Sequence, residues 1–229
     1  MAPKIRVVVA SRASRDAFAA ATALGRSLAV CAYPQVELRL AASNSDGLPA
    51  VYNRAIDEAA ADPAILMFIH DDVSLCDFFW PERIIDATRN LDIAGVAGNT
   101  RRVAGQPAWF AIDAAFTRDE PRHLSGIVGH GDGYPPANLS AYGPPGQLVK
   151  LLDGVLLACD SATLIKHGLR FDERFDFHYY DMDFCRQAEA AGLRMGTCAL
   201  SVVHQSMGGG FGGAAWQRNR DRYFAKWGT

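Results

Sequence analysis

Short apolar runs alternate with helix-forming segments through the first hundred residues. Residues 5–10 (IRVVVA) form a β-branched run without polar alternation, which is typical of a strand buried on both faces of a parallel sheet. The pattern predicts further strands at 36–42, 65–69 and 93–97, and helices at 17–30, 49–61 and 80–90. This alternation predicts an α/β fold with a doubly wound, mainly parallel central sheet flanked by helices.

The pattern changes after residue 99. Residues 99–150 are rich in Gly and Pro with short apolar pieces, which predicts a small lobe of loops and a few short strands. Beyond it we predict an apolar stretch at 151–159, a short helix at 161–167, a helix at 181–191, a strand region at 193–203 and a final helix at 216–227. Residues 207–213 are dense in glycine, and we expect a mobile segment there.

Composition narrows the class of protein. The chain has 229 residues, of which 49% are hydrophobic and 21% charged, with a formal net charge of -2. It lacks the clustered basic surplus of nucleic-acid binders. Five scattered cysteines without C-x-x-C spacing favour reduced thiols over a disulfide framework or a zinc site. No signal peptide or membrane-spanning run is recognisable, so we expect a cytoplasmic protein that could lie peripherally at the inner face of the membrane.

Three polar residues, His70, Asp71 and Asp72, follow the strand predicted at 65–69. Ligands of open α/β sheets bind outside the carboxyl ends of the strands. Adjacent carboxylates can face an anionic diphosphate only when a hard cation such as Mg2+ or Mn2+ lies between them. Alternatively, Asp71 and Asp72 cap the next helix or lie in a solvated turn.

A second acidic segment, FDFHYYDMD, occupies residues 175–183. Asp181 and Asp183 fall near the start of a predicted helix, where the dipole favours carboxylates. A carboxylate among aromatic side chains can act as a general base on an acceptor hydroxyl. The alternative is that Asp181 is only a helix cap and that Asp183 is exposed.

Two further positions are candidates for binding. His204 ends an apolar strand, and a neutral imidazole is a common metal ligand, although a lone histidine is more often structural. The glycines that follow could form a lid or an idle linker. Gly154 would let another group approach the backbone closely, so that Asp153 could bind sugar hydroxyls; a tight turn is the alternative.

Taken in order, these pieces resemble the GT-A glycosyltransferases, specifically the family-two-like bacterial enzymes. The segments that carry the resemblance are VYNRAIDEA (51–59), ILMFIHDDV (65–73), IAGVAG (93–98), DGVLLACDSATL (153–164), GLRFDERFDFHYYDMDFCRQAEAAGLRMG (168–196) and VVHQS (202–206). The resemblance covers most of the chain and is weakest at 100–147. It implies one GT-A domain with a nucleotide-sugar-binding half at 1–99, an acceptor-side half at 100–204, and a glycine-rich loop and C-terminal helix at 205–229.

The resemblance also implies roles for single residues. Asp72 and His204 would be metal ligands, and Asp181 or Asp183 would be the catalytic base. The remaining matched positions are Ser11, Arg12, Asn44, Asn53 and Asp71 for the donor, and Asp153, Gly154 and Tyr180 for the acceptor. Two positions depart from the family pattern, since His70 replaces the first acid of its D-x-D motif and Tyr180 replaces the acid before the base.

The activity implied by the resemblance is a Mn2+- or Mg2+-dependent transfer of a sugar from a nucleotide-sugar donor to a saccharide or lipid-linked saccharide, with inversion, in surface polysaccharide assembly. The aromatic final helix could pack within the chain or against a second copy. A sugar nucleotidyltransferase usually has a glycine-rich phosphate loop after the first strand, whereas this chain has ASRASRD. A non-catalytic binding protein of the same fold is favoured only by the departures at His70 and Tyr180.

Overall fold

The computed structural model describes residues 2–206 and 210–228. The strands are β1 Ile5–Ala10, β2 Val36–Ala41, β3 Ile65–Ile69, β4 Val73–Leu75, β5 Ile93–Gly95, β6 Ala97–Asn99, β7 Leu124–His130, β8 Asn138–Gly143, β9 Leu148–Val149, β10 Leu151–Leu152, β11 Leu156–Asp160, β12 Met195–Thr197 and β13 Val202–His204. The helices are α1 Arg15–Ala21, α2 Ala23–Val30, α3 Leu48–Ala59, α4 Trp80–Asn90, α5 Ser161–Lys166, α6 Tyr180–Ala190 and α7 Ala214–Trp227. The glycine-dense segment expected to be mobile lies partly outside the described residues.

The central sheet has seven strands in the order β2-β1-β3-β11-β5-β12-β9. β1 pairs in parallel with β2 and β3, and β12 pairs in parallel with β5. β11 lies antiparallel between β3 and β5, and β9 is antiparallel at the edge. Five of these seven strands therefore run in one direction, which confirms the predicted mainly parallel α/β sheet with flanking helices.

A second sheet has the order β10-β6-β7-β13-β4, with β8 beside β7. It arises because three stretches, each predicted as one, are divided between the sheets. The strand region predicted at 193–203 gives β12 in the central sheet and β13 in the second sheet. The run after α4 breaks at Val96 into β5 and β6, and the later run breaks at residues 153–155 into β10 and β11. The reversed direction of β11 brings residues 153–155 to the edge where β3 ends, and the His70 amide donates to the Val155 carbonyl there.

An aromatic cluster fixes α3 and α6 against the central sheet. The ring of Phe68 on β3 contacts Tyr52 of α3 and Phe171, with centroid distances of 4.7 and 5.0 Å. Phe171 stacks on Phe184 of α6 at 4.1 Å, and Tyr180 packs against both Tyr52 and Phe171. These buried rings hold the first turn of α6 beside the carboxyl end of β3.

The helix predicted at 17–30 is two helices that meet at Thr22. The Thr22 hydroxyl donates to the Phe18 carbonyl and accepts from the Gly25 amide, so one side chain caps both helices. A Cβ at Gly25 would overlap the Phe18 carbonyl, which explains glycine at this tight junction. Within residues 2–206 and 210–228, no helix is both long and apolar enough to cross a membrane.

Candidate functional site

A cavity of about 1040 Å³ opens at the edge of the central sheet where its parallel strands end. Residues that follow β1, β2 and β3 line it, as expected for an open α/β sheet. Ten of the residues singled out by the sequence lie here: Ser11, Arg12, Asn44, Asp71, Asp72, Asp153, Gly154, Tyr180, Asp181 and His204. The topology therefore brings together residues that are up to 193 positions apart in the chain, Ser11 and His204.

Three side chains in this cavity lie close enough together to hold a metal ion, and they are called here the metal-ligand group. The ligand atoms of His70, Asp72 and His204 all lie within 4.8 Å of one another. β13 pairs with β4 so that His204 lies opposite Val73, which places its imidazole 3.2 Å from an Asp72 oxygen. Two imidazoles and a carboxylate suit a borderline divalent metal ion.

His70 is a candidate ligand that the sequence did not identify. Its place in the acidic motif indicated only the loss of an acid, whereas the structure brings its ring to the position of a third ligand. Burial lowers the pKa of His70 to about 4, although the nearby Asp72 charge opposes this shift. The ring is therefore neutral near pH 7 and keeps one lone pair for a metal ion.

Asp72 and His204 shift each other's pKa in opposite directions. Burial alone would raise the pKa of Asp72, but the hydrogen bond and charge of His204 outweigh it and lower that pKa. Burial alone would lower the pKa of His204, but Asp72 outweighs it and raises that pKa. Asp72 therefore keeps an anionic carboxylate at neutral pH, as an oxygen ligand of a cation needs.

Asp181 lies at the first turn of α6, beside the junction of the two sheets. Its carboxylate accepts from the Gly154 amide at 3.0 Å and from the Met182 amide at 2.8 Å. Burial and then the charge of Asp153 raise the pKa of Asp181 to about 7, while burial also raises the pKa of Asp153. A carboxylate with this pKa can take up and release a proton near neutral pH, as a general base must.

The end of β1 forms a polar rim of the cavity. The Ser11 hydroxyl donates to an Asp71 oxygen at 2.5 Å, and the Asn44 amide donates to the Ser11 carbonyl at 2.8 Å. Arg12 is exposed, and it is the only Lys or Arg among the described residues that line the cavity. Six aspartates line the same cavity: Asp46, Asp71, Asp72, Asp153, Asp176 and Asp181. An added cation would therefore favour the binding of an anionic ligand here.

Asn53 does not line this cavity, which differs from the donor-binding role expected for it. Its amide nitrogen donates to the Phe171 carbonyl at 2.9 Å, and its amide oxygen accepts from the Phe171 amide at 3.0 Å. Glu173 accepts a further bond from the same nitrogen. The buried Asn53 side chain thus ties α3 to the segment before α6.

Asp183 also lies away from the cavity, although it was one of two candidates for the base. Two residues along a helix turn a side chain by about 200°, so Asp183 points away from the face that carries Asp181. Its fully buried carboxylate accepts from the indole of Trp227 at 2.7 Å and pairs with Lys226 at 2.7 Å. Asp183 therefore anchors the C-terminal helix α7 to α6.

Aromatic side chains form another part of the cavity lining, called here the aromatic wall. Trp109 and Tyr142, from the segment that was predicted to be loop-rich, pack edge to face at 4.7 Å. Phe211, 43% exposed, lies 4.9 Å from Phe116, and Trp216 of α7 completes the wall. This wall offers apolar surface to a ligand, which the spacing of these residues in the sequence did not indicate.

Comparison with solved structures identifies the GT-A fold. A structure of GalNAc-T7 with UDP, GalNAc and Mn2+ matches with a TM-score of 0.57 and 10% identity. The match covers 98% of this chain and 48% of the GalNAc-T7 chain. A197 from STIV matches over 89% and 86%, with a TM-score of 0.50 and 10% identity. S. aureus TarS matches over 89% and 37%, with a TM-score of 0.50 and 13% identity. The chain thus spans about half of the GalNAc-T7 chain. No family model and no curated protein matches its sequence.

Proposed function

We propose that this chain transfers a sugar from a nucleotide-sugar donor to a hydroxyl group of an acceptor saccharide, with the help of a divalent metal ion. The observation that carries the proposal is one cavity that holds both the group His70, Asp72 and His204 and the carboxylate of Asp181. A protein of the same fold was solved with UDP, GalNAc and Mn2+, which supports a nucleoside-diphosphate sugar as the donor class.

The residues of the metal-ligand group fit a divalent ion. Asp72 is anionic and His70 is neutral at pH 7, and His204 completes the set within 4.8 Å. Two imidazole ligands favour Mn2+ over Mg2+, since Mg2+ prefers ligands that are all oxygen. When bound, such an ion supplies positive charge that stabilises the departing nucleoside diphosphate.

We assign Asp181 as the general base. Its carboxylate takes the proton of the acceptor hydroxyl while the acceptor oxygen bonds to the anomeric carbon and the bond from that carbon to the diphosphate breaks. The backbone amides of Gly154 and Met182 hold the carboxylate in place. Attack opposite to the leaving diphosphate inverts the anomeric configuration. Asp153, which lines the cavity beside Asp181, is assigned to the sugar hydroxyls.

We assign the donor to the rim formed by Ser11, Arg12, Asn44 and Asp71, and the acceptor to the aromatic wall. The wall suits a sugar ring, because aromatic faces bind its apolar C–H surfaces. Together with the family resemblance, this supports a saccharide or lipid-linked saccharide acceptor in surface polysaccharide assembly, at the cytoplasmic face of the membrane.

A thermal-shift panel tests the donor site. Wild-type protein is heated with UDP, GDP, dTDP or CDP, each with and without Mn2+, since a ligand of the folded state raises the melting temperature. We expect a shift with one nucleotide that requires the metal ion and disappears in Asp72→Ala. Asp46→Asn removes an exposed acid from the same cavity rim and should keep the shift. No shift with any nucleotide, or an equal shift without the metal ion, would contradict the proposal.

A further inference from the structure

Tyr180 contacts the metal-ligand group through His70. Its hydroxyl oxygen is 3.0 Å from Nε2 of His70, and it donates to the Gly154 carbonyl at 2.7 Å. The side chain is only 2% exposed, so the hydroxyl is shared between two protein groups rather than offered to an acceptor. His70 and Tyr180 are also the two positions at which the sequence departs from the acidic pattern of the family.

The hydrogen bonds determine which nitrogen of His70 carries the proton. The Gly154 carbonyl can only accept, so the single proton of the Tyr180 hydroxyl points to it. The hydroxyl oxygen must then accept from Nε2–H of His70. A neutral imidazole has one N–H group, so Nδ1 of His70 is left with the lone pair that a metal ion needs.

Packing leaves Tyr180 and His70 little freedom to move. A Cβ at position 154 would overlap the Tyr180 hydroxyl, so glycine is needed for this approach. The Tyr180 ring packs against Tyr52 at 5.9 Å, and the Phe177 ring stacks on His70 at 5.7 Å. The orientation of the imidazole is therefore set by contacts on several sides.

We propose that Tyr180 is a positioning residue for the metal ion, which orients His70 and fixes Nδ1 as its ligand nitrogen. The inference rests on the proposed function, since it refers to the same metal-ligand group. Partners that orient a ligating histidine typically change metal affinity by 10- to 100-fold when removed. Gly154 also joins the two halves of the site, because its carbonyl accepts from Tyr180 and its amide donates to Asp181.

Titration with Mn2+ tests this role without relying on activity. Free Mn2+ is measured by electron paramagnetic resonance as the ion is added to metal-free protein. We expect one ion bound per wild-type chain, and an affinity about 10- to 100-fold weaker in Tyr180→Phe. The matched control is Tyr179→Phe, whose buried hydroxyl has no hydrogen-bond partner within residues 2–206 and 210–228. The control should bind Mn2+ within about threefold of wild type.

The outcomes separate the positioning role from the metal site itself. Folded wild-type protein that takes up no Mn2+ would overturn both the proposed metal site and the inference that rests on it. A wild-type protein that binds Mn2+ and a folded Tyr180→Phe variant that binds within threefold would overturn the positioning role alone. Tighter binding by the variant would mean that Tyr180 competes with the metal ion for the ring, which also overturns the inference.

Nitrogen-15 spectra of the wild-type imidazoles give a second test that does not depend on the folding of a variant. In the metal-free protein, the hydrogen bond from Tyr180 to the Gly154 carbonyl implies that neutral His70 carries its proton on Nε2. A protonated Nε2 and an unprotonated Nδ1 would support the inference. A proton on Nδ1 would overturn it.

Discussion

The buried carboxylate of Asp181 should make the protein less stable as the pH rises. Its pKa is about 7 in the folded protein, against an ordinary value of 3.8. Because the folded state holds this proton more tightly than the unfolded state, the free energy of unfolding falls as the pH rises between these values. One pKa unit corresponds to about 1.4 kcal/mol. Compared with a pH well below 3.8, the free energy of unfolding is therefore lower by about 2 kcal/mol at pH 5 and by about 4 kcal/mol at pH 7 and above.

Asp181→Asn removes this titration and keeps the shape of the side chain. The two carboxylate oxygens accept from the amides of Gly154 and Met182, so an asparagine loses one of these bonds to its own NH2 group. That loss costs about 1–3 kcal/mol and does not change with pH. From pH 5 to pH 7, the free energy of unfolding of the variant should therefore rise by about 2 kcal/mol relative to that of wild type. The lost hydrogen bond does not affect this difference, because its cost is the same at every pH.

Urea denaturation of metal-free protein at pH 5, 6 and 7, followed by tryptophan fluorescence, measures this difference. Asp46→Asn controls for the loss of a carboxylate, since Asp46 is exposed and pairs with Arg54 on the same rim. A difference between Asp181→Asn and wild type that stays constant across this pH range would refute the reasoning, because it would mean that burial leaves the pKa of Asp181 near its ordinary value.

Two further predictions concern the base and the C-terminal helix. If Asp181 is the base, kcat/KM should rise with pH up to about 7 and then level off, and Asp181→Asn should lose about 10²- to 10⁴-fold in kcat while nucleotide affinity is kept; a pH-independent rate would contradict this assignment. Lys226→Met should cost about 3 kcal/mol of stability, measured by urea denaturation, because it leaves the buried Asp183 carboxylate without its cation and also removes the ion pair of Lys226 with Asp172. Arg218→Met, an exposed change on the same helix, should have little effect; equal losses in both variants would show that the pair with Asp183 is unimportant.

Local pattern was sufficient to predict most single elements. The run Ile65–Ile69 and the helix Trp80–Asn90 have the predicted bounds, because each is a continuous apolar or amphipathic segment. The break at Val96 was not predicted, since the sequence stays apolar across it. At Asp153-Gly154 the sequence offered a tight turn as one alternative, but not a change of sheet. The direction of β11 and the switch between sheets depend on pairing with distant strands, which no local pattern encodes.

The site was predictable to the extent that it lies at strand ends. The sequence indicated Asp72, His204 and Asp181, and the topology brings all three to one cavity. His70 was not predicted as a candidate ligand, because its place in the group depends on the pairing of β13 with β4, which brings His204 beside it. The sequence could not separate Asp181 from Asp183, because the surroundings of Asp183 depend on α7. Trp227 and Lys226 of that helix bind the Asp183 carboxylate, although they lie more than forty positions away in the chain.

Turnover of the donor is the most direct test of the proposed sugar transfer. Wild-type protein, Asp72→Ala and Asp181→Asn would each be incubated with a panel of nucleotide sugars and Mn2+, and the released nucleoside diphosphate would be measured with and without saccharide acceptors. The proposal predicts metal-dependent release from one donor by wild type, increased by an acceptor and lost in both variants. Nucleotide binding by wild type without release from any donor would contradict it and favour a non-catalytic binding protein of this fold.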